Sequence, residues 1–474
     1  MTGQMTRVVM EGQGTFVRVR RPAYWLYVGL VGFGLVHIGE TLTGAVRELS
    51  TALWIAILLN GALAAVFVWI LGRMDLFERE PAAVRAAAFI WGGLVATSIA
   101  IIANNNLLSL LTKLYGVPFA TKWGPAIAGP LNEEWVKALG VVALVLIVRE
   151  HFHRSLDGLI YGAFCGLGFQ VVENLTYAIN FAVANPNSDV AGALSITITR
   201  ILVGGPWSHA IYTGVAGLGI AFAVTAKRPA WMRYGVAFGL FAAAWAMHLL
   251  WNSPMPDWLP SMLTVFVTYG KGILILVFFL ILYRYALHHD WQWFSDIMDG
   301  QPDTVITGDE LSSMRNLRTR KRARKQAEFI YGTAGKKLVS RMQKAQTDLA
   351  DALARTRRSR QNPETAMDVV VASMNVRAIR EEMEAARLPG VRQNMPSDQC
   401  ASRLRRRCAV CCGTDTGRNG HELRRCRRPL GPWRAAPGRS SHVALRWCGG
   451  MVAGGSCRWP PLSRQGNRGA GPVP

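Results

Sequence analysis

The stretch Gly129-Pro-Leu-Asn-Glu-Glu-Trp-Val-Lys137 decides the class of protein, because it lies inside an otherwise apolar run over residues 126–148. A helix needs about 20 mainly apolar residues to cross the hydrocarbon core of a bilayer. A charged side chain at that depth costs at least about 2.5 kcal/mol, so each one needs a partner or a function. The stretch therefore predicts a membrane helix that carries a functional polar site.

Apolar runs of the same length recur along the first 285 residues and indicate an all-α, polytopic membrane bundle of about eight transmembrane helices. The predicted spans are 23–46, 52–72, 84–105, 126–148, 157–182, 203–225, 234–252 and 261–285. Lysine and arginine are concentrated in alternate loops, which predicts a multi-pass protein of the cell (plasma) membrane with both termini in the cytoplasm.

Composition divides the chain into a membrane part and a basic tail. The net charge of +23 excludes a simple membrane bundle, and arginine dominates the residues after the last apolar run. Cysteine is almost confined to positions beyond 399, so we expect no disulfide framework in the membrane part. The predicted regions are a cytoplasmic segment 1–22, a membrane domain 23–286, a cytoplasmic basic helical region 287–389, and a disordered tail 390–474.

Two further patterns concern the packing of the bundle. Residues 106–122 and 191–202 are too polar to cross the membrane, and we expect them to lie along its outer surface. Glycines four apart, Gly162 with Gly166 and Gly235 with Gly239, indicate close approach of neighbouring helices.

The two glutamates of the fourth span differ in their relation to the lysine. Glu133 precedes Lys137 by four residues, the favourable order for a helical ion pair, whereas Glu134 points about 100° away. The spacing predicts that Glu133 is neutralised and that Glu134 is left free.

Polar residues recur at the outer ends of three more spans. With the predicted orientation they all lie in the outer half of the bilayer, so we expect them to meet the fourth span in one site. The first span adds a weaker pair, His37 and Glu40, at a similar depth. The residues of the three spans are Phe169, Glu173 and Asn174 in the fifth, His209 after the helix-start signal Gly205-Pro206 in the sixth, and His248 with Asn252 in the seventh.

Glutamates, histidines and an asparagine in one pocket can hydrolyse a bond in two ways. A glutamate acts as general base on water while histidine or asparagine stabilises the oxyanion. Alternatively, glutamates and histidines bind a divalent metal such as zinc that activates the water. The two-histidine helical zinc motif is missing, so we favour a site without a metal or other cofactor. A proton- or ion-coupled transporter and an inactive membrane scaffold remain as alternatives.

These motifs together resemble the PrsW family of intramembrane proteases, which is related to the CAAX prenyl endopeptidases and bacteriocin-processing membrane peptidases. The resemblance covers residues 24–285. It includes the loop from Arg73-x-Asp75 to Glu80-Pro81, and the lysine three positions after Glu134 separates this chain from the prenyl endopeptidases.

The resemblance implies a glutamate-dependent peptidase that cuts a single-span membrane protein near its extracytoplasmic side, and an anti-sigma factor is the substrate in the best-known members. The implied catalytic residues are Glu133, Glu134, Glu173, His209 and His248, and the supporting residues are Lys137, Phe169, Asn174 and Asn252.

The tail shows two patterns of its own. Thr307-x-x-Glu310 predicts a helix N-terminal capping box before the basic run 318–325, which we expect to rest on anionic lipid headgroups and not on nucleic acid. Cys408, Cys411, Cys412, His421 and Cys426 have zinc-like spacing, but we expect disorder there, since no hydrophobic pattern supports a fold.

Overall fold

The structure, a computed structural model, describes residues 16–77, 80–359 and 361–386, and in these ranges the regular structure is helical throughout. Nine helices form the bundle. They are α1 (Pro22–Glu48), α2 (Ser50–Leu71), α3 (Ala82–Tyr115), α4 (Val117–Ile147), α5 (Ser155–Ala184), α6 (Asp189–Leu202), α7 (Ser208–Thr225), α8 (Ala230–Asn252) and α9 (Ser261–Met298).

The predicted polytopic helical bundle is confirmed. In the described part of the chain, seven helices are long and apolar enough to cross a membrane: α1, α2, α3, α5, α7, α8 and α9. The predicted fourth span lies within α4, whose charged residues make it less apolar than these seven. The side of the membrane on which the termini lie stays a prediction.

The polar segment 106–122 does not form the separate surface segment that we expected. Helix α3 passes through a short π-helical stretch at Trp91–Ala96 and continues to Tyr115, and α4 begins at Val117. Gly116 joins the two helices with a φ of +82°, a conformation that glycine adopts without strain. The chain therefore reverses at one residue, and the polar segment completes both helices. Residues 191–202, the other polar segment, belong to α6.

Helices α5 and α7 pack backbone to backbone at the centre of the bundle. A Cβ atom at Gly162 would lie 2.2 Å from the carbonyl oxygen of Thr213, and one at Gly166 would lie 2.0 Å from that of His209. The packing role predicted for these two glycines is therefore confirmed. It is wrong for Gly235 and Gly239, which have nothing within 4 Å of such an atom because they face outward from α8.

The tail helices build a second hydrophobic core beside the bundle. Helix α9 continues to Met298, beyond the boundary expected at 286, and is followed by α10 (Gly308–Ser313), α11 (Leu317–Ser359) and α12 (Met367–Ala385). Phe294 of α9, Leu349 of α11 and Val376 of α12 are buried in this core. The capping box of Thr307 and Glu310 is confirmed. The cysteines with zinc-like spacing lie outside the described residues. So does the tail 390–474, for which we expected disorder.

Candidate functional site

The centre of the site is the ammonium group of Lys137 on α4. Its Nζ atom lies 2.6 Å from Oε1 of Glu134 and 3.4 Å from Oε2 of Glu133, and the lysine side chain is fully buried. The prediction that Glu133 takes the lysine charge and leaves Glu134 free is therefore wrong. The rule for isolated helices does not include neighbours, and here the ring of Phe169 lies 4.2 Å from Nζ while a histidine of α7 binds the same atom.

His209 connects α4 to α5. It lies in the first turn of α7, as the Gly205-Pro206 signal predicts, since that helix begins at Ser208. Its Nδ1 atom is 2.9 Å from Nζ of Lys137, and its Nε2 atom is 3.1 Å from Oε2 of Glu173. An ammonium can only donate, so Nδ1 accepts and Nε2 carries the proton that is donated to Glu173. Phe169 packs on this ring with the two centroids 5.0 Å apart.

His248 of α8 holds the other side of the glutamate pair. Its Nδ1 atom donates to Oε1 of Glu134 at 2.8 Å, because a carboxylate oxygen only accepts. Its Nε2 atom faces Oε2 of Glu133 at 4.0 Å. The ring stacks on that of Tyr212, with the centroids 5.1 Å apart. Lys137 and His248 thus fix Glu134 from two sides.

Glu133 lies beside the α4 backbone at Gly129, where groups of α8 also converge. A Cβ atom at Gly129 would lie 3.3 Å from Oε1 of Glu133, 3.5 Å from Nε2 of His248 and 3.2 Å from Nδ2 of Asn252. The Asn252 amide also donates to the carbonyl oxygen of Pro125. The missing side chain of Gly129 thus lets three polar groups approach one point of the α4 backbone.

The structure brings most of the predicted site residues together. Glu133, Glu134, His209 and His248 offer ligand-type atoms within 4.8 Å of one another, and all four residues are buried. Glu173 lies at the edge of this group, in contact with His209. Asn174 lies outside it and donates instead to Asn60 of α2. Glu40 of α1 is exposed and takes no part in the site.

Sequence reasoning missed several residues that surround the site. Arg200 of α6 forms an ion pair with Glu173 and also donates to Asn174, and Asn104 of α3 donates to Oε1 of Glu133 at 3.0 Å. Arg200 had one visible signal: it is a single arginine at the end of a polar segment on the side where basic residues are rare. Asn104 had none, because it lies within a run of three asparagines.

Charge is nearly balanced in this group of side chains. The carboxylates of Glu133, Glu134 and Glu173 face two permanent cations, Lys137 and Arg200. With all of them ionised and both histidines neutral, one negative charge is in excess. Glu134 and Glu173 each have a close cation, whereas Glu133 lies farther from Lys137, at 3.4 Å, so the excess charge is assigned to Glu133. A carboxylate in this position can accept a proton from water.

The donor atoms are of the types that bind a divalent metal, but the Lys137 ammonium occupies the position between them. Glu133, His209 and His248 are the ligand types that zinc prefers, and both histidines bind a carboxylate through their other nitrogen, as metal ligands do. Lys137, however, lies 2.9 Å from Nδ1 of His209 and 3.4 Å from Oε2 of Glu133. An ion bound to those two atoms would be in direct contact with an ammonium group. The arrangement therefore does not fit a metal while Lys137 stays in its position.

The fold and the site define a polytopic membrane protein with a buried glutamate–histidine centre, and comparisons with known proteins agree. Residues 80–284 match the family described as PrsW family intramembrane metalloprotease. Over 109 residues the chain is 37% identical to Protease PrsW of Clostridioides difficile (strain 630), a match that covers 23% of this chain and 44% of that protein. The chain thus spans less than half the length of this relative. No solved structure matches this chain.

Replacing Lys137 by methionine tests the central ion cluster. Lys137→Met leaves two buried carboxylates without their cation, which costs about 3–5 kcal/mol for a broken buried pair. We expect a lower apparent melting temperature of the purified protein in detergent, and partial recovery when Glu134→Gln is added. Lys113→Met removes an exposed lysine and serves as the control. Equal melting temperatures for Lys137→Met and the wild-type protein would contradict this account.

Proposed function

We propose that this protein is an intramembrane peptidase that hydrolyses a peptide bond of a membrane-anchored, single-span protein. The observation that carries the proposal is the convergence of Glu133, His248 and Asn252 beside Gly129, in a group of buried side chains drawn from four helices. The match of residues 80–284 to the PrsW family supports the same reaction class.

In the proposed mechanism, Glu133 is the general base. A water molecule beside Gly129 gives its proton to the Glu133 carboxylate as its oxygen attacks the peptide carbonyl. The Asn252 amide, 3.2 Å from the position of a Gly129 Cβ, stabilises the oxyanion. Protonated Glu133 then returns the proton to the leaving amine, so the enzyme ends in its starting state.

The other residues of the site hold the groups around Glu133 and Asn252 in position. Glu134 accepts from both Lys137 and His248, so it holds the His248 ring with Nε2 toward the reacting groups. Glu173 holds His209 in the tautomer that can accept from Lys137. Arg200 balances the charge of Glu173. Exclusion of water from this buried group strengthens each of these interactions.

The substrate and the location are further parts of the proposal. We propose that the substrate is cut near the extracytoplasmic side of the plasma membrane, with both termini of the enzyme in the cytoplasm, and that an anti-sigma factor undergoing site-1 cleavage is a candidate. The basic tail is proposed to contact anionic lipids and no nucleic acid. These assignments rest on the pattern of basic residues and on the family.

Substrate trapping followed by reconstitution tests the reaction. Glu133→Gln keeps the size of the side chain but removes the base, so we expect it to capture single-span membrane proteins by cross-linking in native membranes without cutting them. With a captured protein in liposomes, we expect its cleavage rate to fall by about 10²–10⁴-fold. Glu40→Gln removes an exposed glutamate and should cleave normally. Cleavage by Glu133→Gln at the wild-type rate would contradict the proposal.

Chelators test the proposed absence of a metal. In the same liposome assay we expect cleavage to persist after treatment with phenanthroline, because the Lys137 ammonium takes the central position among the candidate ligands. Loss of cleavage that returns on addition of zinc would show instead that Lys137 moves aside for an ion.

A further inference from the structure

A second polar site lies apart from the glutamate–histidine centre. A cavity of about 1040 Å³ is bordered by residues 72–77 and Pro81 between α2 and α3, by His151 between α4 and α5, and by residues of α11 on both sides of its kink at Gly332. None of the residues of the glutamate–histidine centre lines it. Seven of the lining side chains are arginine or lysine and three are aspartate, which leaves a formal excess of four positive charges.

Arg320 is the clearest sign that this cavity is built for an anion. Its residue is 8% exposed, and its guanidinium group lies over the ring of Phe77. Two of its N–H groups donate to the carbonyl oxygens of Met314 and Leu76, whereas Nη2 has no hydrogen-bond partner among the described residues. Carbonyl groups do not neutralise a charge, and Arg320 forms no ion pair within 4 Å among the described residues, so this buried cation keeps a free donor.

Burial has a visible effect on this arginine. It lowers the pKa of Arg320 to about 10, and Asp75 opposes the shift. The guanidinium group is still charged at neutral pH, because its pKa remains well above 7. A bound anion would relieve the cost of burying this charge.

Three further lining cations of α11 have no carboxylate within 4 Å among the described residues: Arg324, Lys337 and Lys344. The other two, Arg341 and Arg355, are paired with Glu382 and Asp351. The lining aspartates are engaged as well, since Asp75 pairs with Arg154 and both Asp348 and Asp351 have partners. Arg320 and the three unpaired cations therefore have no close carboxylate in the described part of the chain.

We propose that this cavity binds a phosphate-bearing anion through Arg320 and the neighbouring cations of α11. Guanidinium groups match phosphate oxygens in geometry and charge, and lysines add point charges around them. The volume suits a ligand larger than a single phosphate ion. Because the lining comes from both the bundle and α11, the bound anion joins the tail helices to the ends of the membrane helices.

The phosphate group can belong to a soluble anion or to a lipid headgroup. Binding measurements on the full chain in lipid nanodiscs distinguish these two sources. In nanodiscs of phosphatidylcholine, inorganic pyrophosphate is titrated while the melting temperature and the heat of binding are recorded. In a second arm, the melting temperature in nanodiscs that contain phosphatidylglycerol is compared with that in pure phosphatidylcholine. A saturable response to pyrophosphate indicates a soluble anion, and a response only to phosphatidylglycerol indicates a lipid headgroup.

Matched triple variants of the tail helices decide whether the cavity is the site. Arg324→Gln, Lys337→Gln and Lys344→Gln together remove three lining cations that are at least partly exposed, and we expect roughly tenfold or weaker binding of the responding probe. Arg315→Gln, Arg357→Gln and Arg377→Gln remove three exposed cations that neither line the cavity nor belong to the basic run 318–325, and binding should stay at the wild-type level.

Arg320→Gln should weaken binding further if the variant folds, and the two triple variants keep the test decisive if it does not. The proposal is overturned if neither probe changes the wild-type protein, or if both triple variants lose binding equally. This inference does not depend on the proposed peptidase activity, because its measurement requires no cleavage.

Discussion

The site depends on a single buried cation, the ammonium group of Lys137. Two carboxylates of its own helix and a histidine of α7 surround it, so removal of this charge would leave several buried polar groups without a partner. Breaking such a group is costly, because an unpaired charge in a low-dielectric interior loses its hydration without compensation. Lys137 therefore connects α4 to α7, and in the proposed mechanism it leaves Glu133 as the more weakly paired glutamate.

The close contact of α5 and α7 gives Lys137 its partners. Glycines on α5 bring the two helix backbones together at the level of His209, and the same helix carries Glu173 two turns further on. Arg200 of α6 pairs with Glu173, and Asn104 of α3 donates to Glu133. The result is an asymmetric pair of glutamates: Oε1 of Glu134 accepts from both Lys137 and His248, whereas Glu133 faces Gly129 and has a longer contact with Lys137. That asymmetry is the feature that suits general-base chemistry.

The features that could be predicted from the sequence are those that depend on one helix alone. Apolar length predicted the membrane bundle, Gly205-Pro206 predicted the start of α7 before His209, and Thr307 with Glu310 predicted a capping box. The same local reasoning failed for Lys137, because the 2.9 Å contact with His209 outweighs the usual spacing rule. It also failed for Gly235 and Gly239, which face outward, since glycine spacing does not say whether a helix has a neighbour. The contacts of Arg200 and Asn104 with the glutamates became visible only when helices distant in sequence were brought together.

The most direct test of the account is cleavage of a trapped substrate by Gly129→Ala. The added methyl group would lie 3.2–3.5 Å from atoms of Glu133, His248 and Asn252, and would fill the position assigned to the attacking water. Gly235→Ala, at a position with nothing within 4 Å, is the matched control. The account predicts that Gly129→Ala folds and captures substrate but cleaves it at least about 10²-fold more slowly, as expected when general-base catalysis is lost. Cleavage at the rate of the Gly235→Ala control would contradict it.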